Sequence, residues 1–304
     1  MTPAPTTLRV PAGRQGPGPM PQRLIDALDL VVATRAGGAL PGDKRAAGIG
    51  AGTELAQLRP YEVGDDVRQI DASATARSGE PYVRLHVPER TLTTWLAVDV
   101  SPSMAFGTAD RLKADVAEGA ALVLTRLGIR RAGSVGLVTF GAGKPELHPP
   151  RASKPAVVAV RRALGEGVVR DGLGNPHALA DAALRIGRVA SQPGLVALIS
   201  DFRDQRDWTR PLGALRVRHS VLAIEVHDPR EAALPDAGRL AVVDPETGAH
   251  VEVDTSSPRI RDFFARIEAE RRERVARELR RLRIEHVVLS TSGDWLRELG
   301  RRLR

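Results

Sequence analysis

The sequence predicts an α/β protein whose core is a doubly wound, mainly parallel β-sheet. Short segments rich in Val, Ile and Leu alternate with longer helical segments from about residue 93 onward. Buried strands separated by helices of this length are typical of a parallel sheet with helices on both faces. No motif recurs at a fixed period, so a repeat architecture is not indicated. The hydrophobic content of 42% is enough for a substantial core.

The part of the chain before this alternation has a different character. Residues 1–20 are rich in Pro and Gly, which predicts a disordered N-terminus. Residues 22–34 place apolar side chains at helical spacing and predict a short amphipathic helix, which a Gly-rich loop follows. Turn signals then precede a strand predicted at Tyr82–Val87. We therefore assign residues 21–92 to an N-terminal segment and residues 93–304 to the main domain.

The main domain is predicted to contain a series of buried strands and helices with one insertion. The strands are predicted at residues 94–98, 135–140, 196–200, 220–226 and 286–290. The helices are predicted at residues 109–127, 154–164, 176–190, 208–217 and 258–283. Apolar and polar residues alternate on both sides of the turn "DPETG", which indicates a β-hairpin inserted near residues 238–255.

Composition argues against several classes of protein. The absence of cysteine excludes disulfides, thiolate zinc sites and a cysteine nucleophile. The net charge of +8 is carried almost entirely by arginine, and aromatic residues make up only 3%, so we expect no nucleic-acid partner. No apolar stretch approaches the roughly 18 residues of a membrane span, and the N-terminus lacks the apolar core of a signal peptide. The sequence therefore predicts a cytoplasmic protein without a membrane span.

Polar side chains follow two of the predicted strands. Asp99 ends the first strand of the main domain, and Ser101 and Ser103 follow it at alternate positions. Asp201 stands at the end of another buried strand, in "LISDFRD". Ligands of an open parallel sheet bind beyond the carboxyl ends of its strands, so these side chains are expected to meet there. Carboxylates and hydroxyls are hard oxygen ligands, which predicts a site for Mg²⁺ or Mn²⁺.

The pattern of these residues resembles a known site. Asp99-x-Ser101-x-Ser103, followed by Asp201, is similar to the metal-ion-dependent adhesion site of von Willebrand factor A domains. Longer motifs narrow the resemblance to the family known as domain of unknown function 58. These motifs are, in chain order, "GAGTELAQLRPYEVGDDVRQIDASATAR", "VDVSPSMAFG", "LISDFRD" and "HDPREAALPDAGRLAVVDPETG".

The resemblance implies a von Willebrand factor A-like, Rossmann-like domain preceded by a family-specific N-terminal segment. It implies that Asp99, Ser101 and Ser103 hold Mg²⁺ or Mn²⁺ and that Asp201 acts through a water molecule. One open coordination position would then accept an acidic residue of a partner protein. Because relatives are often found beside a MoxR-type AAA-plus ATPase, the resemblance names that ATPase as the first partner. The implied role is that of an adaptor in the maturation or remodelling of a client protein.

One position departs from the family pattern. Adhesion-site domains supply a threonine from a loop before a later helix, whereas the matching stretch "RDGLGNPHALADAAL" contains none. Asn175 or His177 stands in that place. An Asn side-chain oxygen is a suitable ligand, but Asn before Pro176 is also a good helix cap, and we favour that second use. His177 would favour a softer metal.

Two alternatives to a metal-dependent adaptor are carried forward. The first is a metal-free scaffold of the same fold. The second reads "DVSPS" as the aspartyl-phosphate motif of a magnesium-dependent phosphohydrolase. That chemistry needs a second acid where Ser101 stands, and none of the four lysines is evidently placed to assist. Since there is also no Gly-x-Ser-x-Gly elbow and no His-x-x-x-His pair, we predict no catalytic residue and no enzyme.

Overall fold

The computed structural model describes residues 7–8, 54–87, 93–107, 110–130, 133–204 and 207–303. These residues fall into two compact units, one formed by residues 54–87 and the other by the remainder. The helix predicted at residues 22–34, the Gly-rich loop and most of the predicted disordered N-terminus lie outside the described residues.

The secondary structure is given in chain order. The strands are β1 (Thr7–Leu8), β2 (Glu54–Pro60), β3 (Tyr82–Val87), β4 (Thr93–Asp99), β5 (Ser134–Phe140), β6 (Glu146–Ala152), β7 (Val168–Val169), β8 (Leu195–Ser200), β9 (Ser220–His227), β10 (Arg239–Val243), β11 (His250–Asp254) and β12 (Glu285–Ser290). The α-helices are α1 (Ala72–Ser78), α2 (Lys113–Arg130), α3 (Ser153–Leu164), α4 (Ala178–Val189), α5 (Thr209–Arg218), α6 (Pro258–Arg281) and α7 (Trp295–Arg302).

The smaller unit is an antiparallel pair of strands with one short helix. Strand β3 has the bounds predicted from sequence and pairs with β2. Asp71 begins α1: one carboxylate oxygen accepts a hydrogen bond of 2.7 Å from the Ala74 amide, and the other accepts one of 2.7 Å from Arg84. Gly79 ends the helix with a φ of 77°, a left-handed conformation that glycine adopts without strain.

The larger unit is built on a six-stranded sheet with the order β12-β9-β8-β4-β5-β6. All five strands predicted for the main domain form, and they pair in parallel. The sixth strand, β6, pairs antiparallel with β5 at the edge. The predicted doubly wound, mainly parallel fold is therefore confirmed.

Helices cover both faces of this sheet. Leu96 and Val98 of β4 point into one core cluster, which α2, α3 and α7 complete. Trp95 and Ala97 of the same strand point into the second cluster, which α4, α5 and α6 complete. Because both faces of β4 are buried, its sequence is a continuous apolar run that does not alternate with polar residues.

The sequence did not predict the edge strand β6 or the last helix α7. Strand β6 reads "ELHPPRA", which has no apolar pattern because its side chains are largely exposed, and proline is tolerated at a sheet edge. Helix α7 is short and strongly amphipathic. The predicted hairpin is confirmed as β10 and β11, which form a separate two-stranded sheet. Within the described residues, no helix combines the length and apolar character that crossing a membrane requires.

Candidate functional site

The candidate site lies where the sheet changes its winding direction. Strands β4 and β8 are neighbours in the sheet. The chain continues from β4 to β5 on one side of this pair and from β8 to β9 on the other side. The two connections leave in opposite directions and open a crevice at the carboxyl ends of these strands. Asp99 is the last residue of β4 and Asp201 follows the last residue of β8. The predicted acids thus lie at the place where such sheets bind ligands.

The serine loop, residues 99–103, folds its polar groups toward one another. Asp99 Oδ1 accepts a hydrogen bond of 2.8 Å from the Ser101 amide, and Asp99 Oδ2 accepts one of 2.6 Å from the Ser200 hydroxyl. The hydroxyl oxygens of Ser101 and Ser103 are 3.1 Å apart. All three predicted ligand residues are buried. The structure therefore brings Asp99, Ser101 and Ser103 together.

A buried lysine holds Asp201. Lys113, the first residue of α2, has a fully buried side chain, and its Nζ donates hydrogen bonds of 2.7 Å to Asp201 Oδ2 and to Glu231 Oε1. Burial alone would raise the pKa of Asp201, but the charges of Lys113 and Arg203 outweigh it and lower that pKa. No lysine was evident as a residue of this site from the sequence, and the structure places Lys113 there. The reason is that the first residue of α2 is buried beside Asp201, at the carboxyl end of β8.

An ion-pair network supports Asp201 from behind. Arg203 donates to Glu268 at 3.0 Å and lies 3.5 Å from Glu231. Arg271 is paired with Glu268 at 2.9 Å and donates to the Asp201 carbonyl at 3.2 Å. These contacts fix the backbone of Asp201, while Lys113 holds its carboxylate.

Two carboxyl groups here have strongly raised pKa values. Burial, together with the charge of Asp201, raises the pKa of Asp99 to about 7. Burial and the charge of Asp99 raise the pKa of Asp204 to about 8, although Asp204 accepts a hydrogen bond of 2.7 Å from the Leu179 amide at the start of α4. Burial is the larger cause for both groups, so each carboxyl group tends to hold a proton near neutral pH.

The tip of the hairpin insertion adds a further carboxylate. Glu246, in the turn between β10 and β11, accepts a hydrogen bond of 3.1 Å from the Ser103 amide. Burial raises the pKa of Glu246, and the bonds from Ser103 only partly offset this effect. The hairpin was predicted as an element, but its approach to the serine loop was not.

Asn175 and His177, the two residues at the threonine position, are not joined to the serine loop by a described side-chain hydrogen bond. Asn175 Oδ1 accepts a hydrogen bond of 3.0 Å from the His177 amide, and its Nδ2 donates one of 2.9 Å to the Gly143 carbonyl. The bond to the His177 amide closes a turn before α4, but the N-cap residue of that helix is His177 and no side chain caps it, so the predicted capping by Asn175 was wrong. His177 is exposed just before α4.

The residues present fit a hard divalent cation. Among the described residues, no three or more His, Asp and Glu side chains gather into a cluster that could hold a metal ion by themselves, so hydroxyl oxygens would have to take part. The buried carboxyl group of Asp99 and the paired hydroxyls of Ser101 and Ser103 provide such oxygens.

Sequence reasoning missed four residues of this site: Lys113, Ser200, Asp204 and Glu246. Ser200 and Asp204 stand close to Asp201 in the chain, so the motif "LISDFRD" carried a signal for them. Lys113 and Glu246 lie far from that motif in the chain, and although Glu246 belongs to the predicted turn "DPETG", nothing local links either residue to the site.

Comparison with known proteins shows the family to which the sequence is similar. The model of a family described as "Protein of unknown function DUF58" matches residues 57–274. An uncharacterised protein of Mycobacterium tuberculosis, Rv1480, is 37% identical over 278 residues, which are 91% of this chain and 87% of that protein. An uncharacterised protein of Mycobacterium avium, MAV169, is 42% identical over 123 residues, which are 40% of this chain and 72% of that protein.

Two solved structures are similar at low sequence identity. The conserved hypothetical protein BatB from Bacteroides thetaiotaomicron has a TM-score of 0.45 and 14% identity, over 70% of this chain and 97% of that one. A von Willebrand factor type A protein from Catenulispora acidiphila has a TM-score of 0.34 and 13% identity, over 47% of this chain and 34% of that one.

Proposed function

The chain belongs to the family described as "Protein of unknown function DUF58", and from this premise we propose that it is a metal-dependent protein-binding adaptor. The observation that carries the proposal is the meeting of Asp99, Ser101 and Ser103 at the switch point of the sheet. Oxygen ligands grouped in this way would suit the capture of an acidic side chain of a partner through a bound cation. The bound cation, Mg²⁺ or Mn²⁺, would supply the positive charge that this carboxylate needs.

Some residues of this site would bind the cation directly, and others would hold those ligands in position. Asp99 and the serine hydroxyls of Ser101 and Ser103 would hold the cation directly. Ser200 fixes one oxygen of Asp99, and Lys113 fixes one oxygen of Asp201. Asp201 would act through a water molecule. Because the side chain of Asn175 is engaged by the His177 amide and the Gly143 carbonyl, we propose that water fills the position of the missing threonine.

The partner that we propose first is a MoxR-type AAA-plus ATPase, with which the adaptor would act on a client protein. The support for this partner is the family resemblance. An acidic residue on the ATPase or on the client would then complete the interaction at the sheet edge.

A metal-free scaffold is the second candidate, and one observation favours it. The ammonium group of Lys113 already places a permanent positive charge 2.7 Å from Asp201 Oδ2. The phosphohydrolase alternative gains nothing from this lysine. Its side chain has no exposed surface and is held between Asp201 and Glu231, so it offers no open group to a phosphoester.

Calorimetric titration of Mg²⁺ and Mn²⁺ into the full chain tests the proposal. We expect binding in the wild type, loss of binding in Asp99→Ala, and unchanged binding in Asp262→Ala, which removes an exposed acid from α6. A pull-down of the MoxR-type ATPase from the same organism should then require both Asp99 and the metal. Equal capture by wild type, Asp99→Ala and protein treated with EDTA would contradict metal dependence and favour the scaffold.

A further inference from the structure

The tip of the hairpin insertion, residues 244–249, reaches the candidate metal site of the same chain. Glu246 Oε1 accepts a hydrogen bond from the Ser103 amide at 3.1 Å, and the Ser103 hydroxyl is 3.1 Å from that of Ser101. The proposed function requires an acidic side chain from a partner at this loop. In this structure the chain itself provides one.

The tip has a fixed internal structure. The carboxylate of Asp244 accepts hydrogen bonds from the Glu246 amide at 3.0 Å and from the Thr247 hydroxyl at 2.7 Å. The Gly248 amide donates to the Asp244 carbonyl at 2.8 Å. These bonds fix the backbone of the turn, so little backbone freedom is lost when Glu246 contacts the site.

The tip is also bound to the loop before α4 through backbone hydrogen bonds. The amides of Gly172 and Gly174 donate hydrogen bonds of 2.8 Å and 3.2 Å to the carbonyls of Pro245 and Glu246. A Cβ atom added at Gly174 would lie 1.9 Å from Glu246 Oε2. The carboxylate thus fills the space of the side chain that Gly174 lacks, so a side chain at this position would force the carboxylate to shift.

The strands behind the tip are only loosely covered. Val243 of β10 is 39% exposed and Val251 of β11 is 57% exposed. At the base of the hairpin, Thr255 is fully buried and its hydroxyl donates to the Gly238 carbonyl at 2.7 Å. The base is anchored, whereas the tip is held mainly by polar contacts. Release of the tip would therefore uncover little apolar surface.

We propose that Glu246 is a tethered acidic ligand of the adhesion site, which occupies the position of a partner's carboxylate and must be displaced before a partner binds. This inference rests on the proposed function and deepens it. A ligand joined by a short linker has an effective concentration on the order of millimolar. The hairpin tip therefore excludes weakly binding acids, and a partner must bring contacts beyond a single carboxylate to displace it.

The test uses Mn²⁺ as the probe and sodium acetate as a simple carboxylate, with the full chain. Water-proton relaxation measures the exchangeable water on bound Mn²⁺ in the wild type, Glu246→Gln, Gly174→Ala and Glu252→Gln. Glu246→Gln removes the tethered carboxylate. Gly174→Ala retains it but forces it away through the added Cβ. Glu252→Gln removes an exposed acid of the same hairpin and serves as the control.

We expect Glu246→Gln and Gly174→Ala to gain one exchangeable water and to bind acetate at least about tenfold more tightly than the wild type. Glu252→Gln should match the wild type. If both test variants match the wild type while Asp99→Ala abolishes Mn²⁺ binding, the tethered ligand is refuted and the proposed function stands. If no form of the chain binds Mn²⁺, the metal-dependent function and the tethered ligand are both overturned.

Discussion

Replacement of the buried lysine is the sharpest test of how this site is held together. Lys113→Met keeps the length of the side chain but removes the charge that pairs with Asp201 and Glu231. The three side chains are 0%, 3% and 11% exposed, so water cannot replace the ammonium group. Opposite charges about 4 Å apart attract by about 4 kcal/mol at an effective dielectric constant of about 20. Part of this attraction offsets the desolvation of the ions, and breaking a buried pair from one side typically costs about 3–5 kcal/mol.

The assay is urea unfolding at neutral pH in EDTA, so that no metal ion stands in for the lost charge. We expect Lys113→Met to lower the free energy of unfolding by about 3–5 kcal/mol. Lys154→Met, an exposed change on α3, should stay within about 0.5 kcal/mol of the wild type. A loss below about 1 kcal/mol for Lys113→Met would refute the reasoning.

A double-mutant cycle identifies the cause of that loss. If uncompensated negative charge is responsible, Glu231→Gln in the Lys113→Met background removes one of the two orphaned acids. The double variant should then lose less stability than the sum of the single variants, with a coupling of at least about 1 kcal/mol. Additive losses would instead indicate a packing defect.

Two further predictions concern helix packing and pH. Gly119→Ala should destabilise the protein by about 1–3 kcal/mol because the added Cβ would lie 2.5 Å from the Trp295 ring. Gly187→Ala, whose added Cβ would have Leu215 as its nearest contact at 3.6 Å, should stabilise the protein by about 0.5–1 kcal/mol. Thermal unfolding of both variants checks this, and equal shifts in their unfolding temperatures would contradict it. The folded-state pKa of Asp204 is about 8, above its ordinary value of 3.8, so the folded state binds this proton more tightly. Metal-free stability should therefore fall as pH rises from about 5 to about 8, by at most about 1.4 kcal/mol per pH unit for this group. Asp204→Asn should flatten that slope, and an unchanged slope in urea unfolding across this range would contradict the assignment.

Local patterns in the sequence were sufficient for most of the fold. Five buried strands were predicted because each is a short continuous apolar run, and the hairpin and the helices were predicted from the periodic spacing of their apolar residues. Asp99, Ser101 and Ser103 could be grouped because they share one loop. Asp201 could be added because parallel strands end at the same edge of a sheet. Strand β6 was not predicted because an exposed edge strand needs no apolar pattern.

The sequence by itself determined the α/β class, the serine loop and the acid that faces it, since each follows from neighbouring residues or from the direction of parallel strands. Only the tertiary structure decided the winding order of the sheet and the partners of the site. Lys113 is 88 residues from Asp201, and Glu246 is 143 residues from Ser103. Charged residues ordinarily face solvent, so the neighbouring sequence did not predict that Lys113 is buried or that Glu246 approaches the serine loop. Their positions depend on how α2 and the hairpin pack against the sheet, which the whole chain decides together.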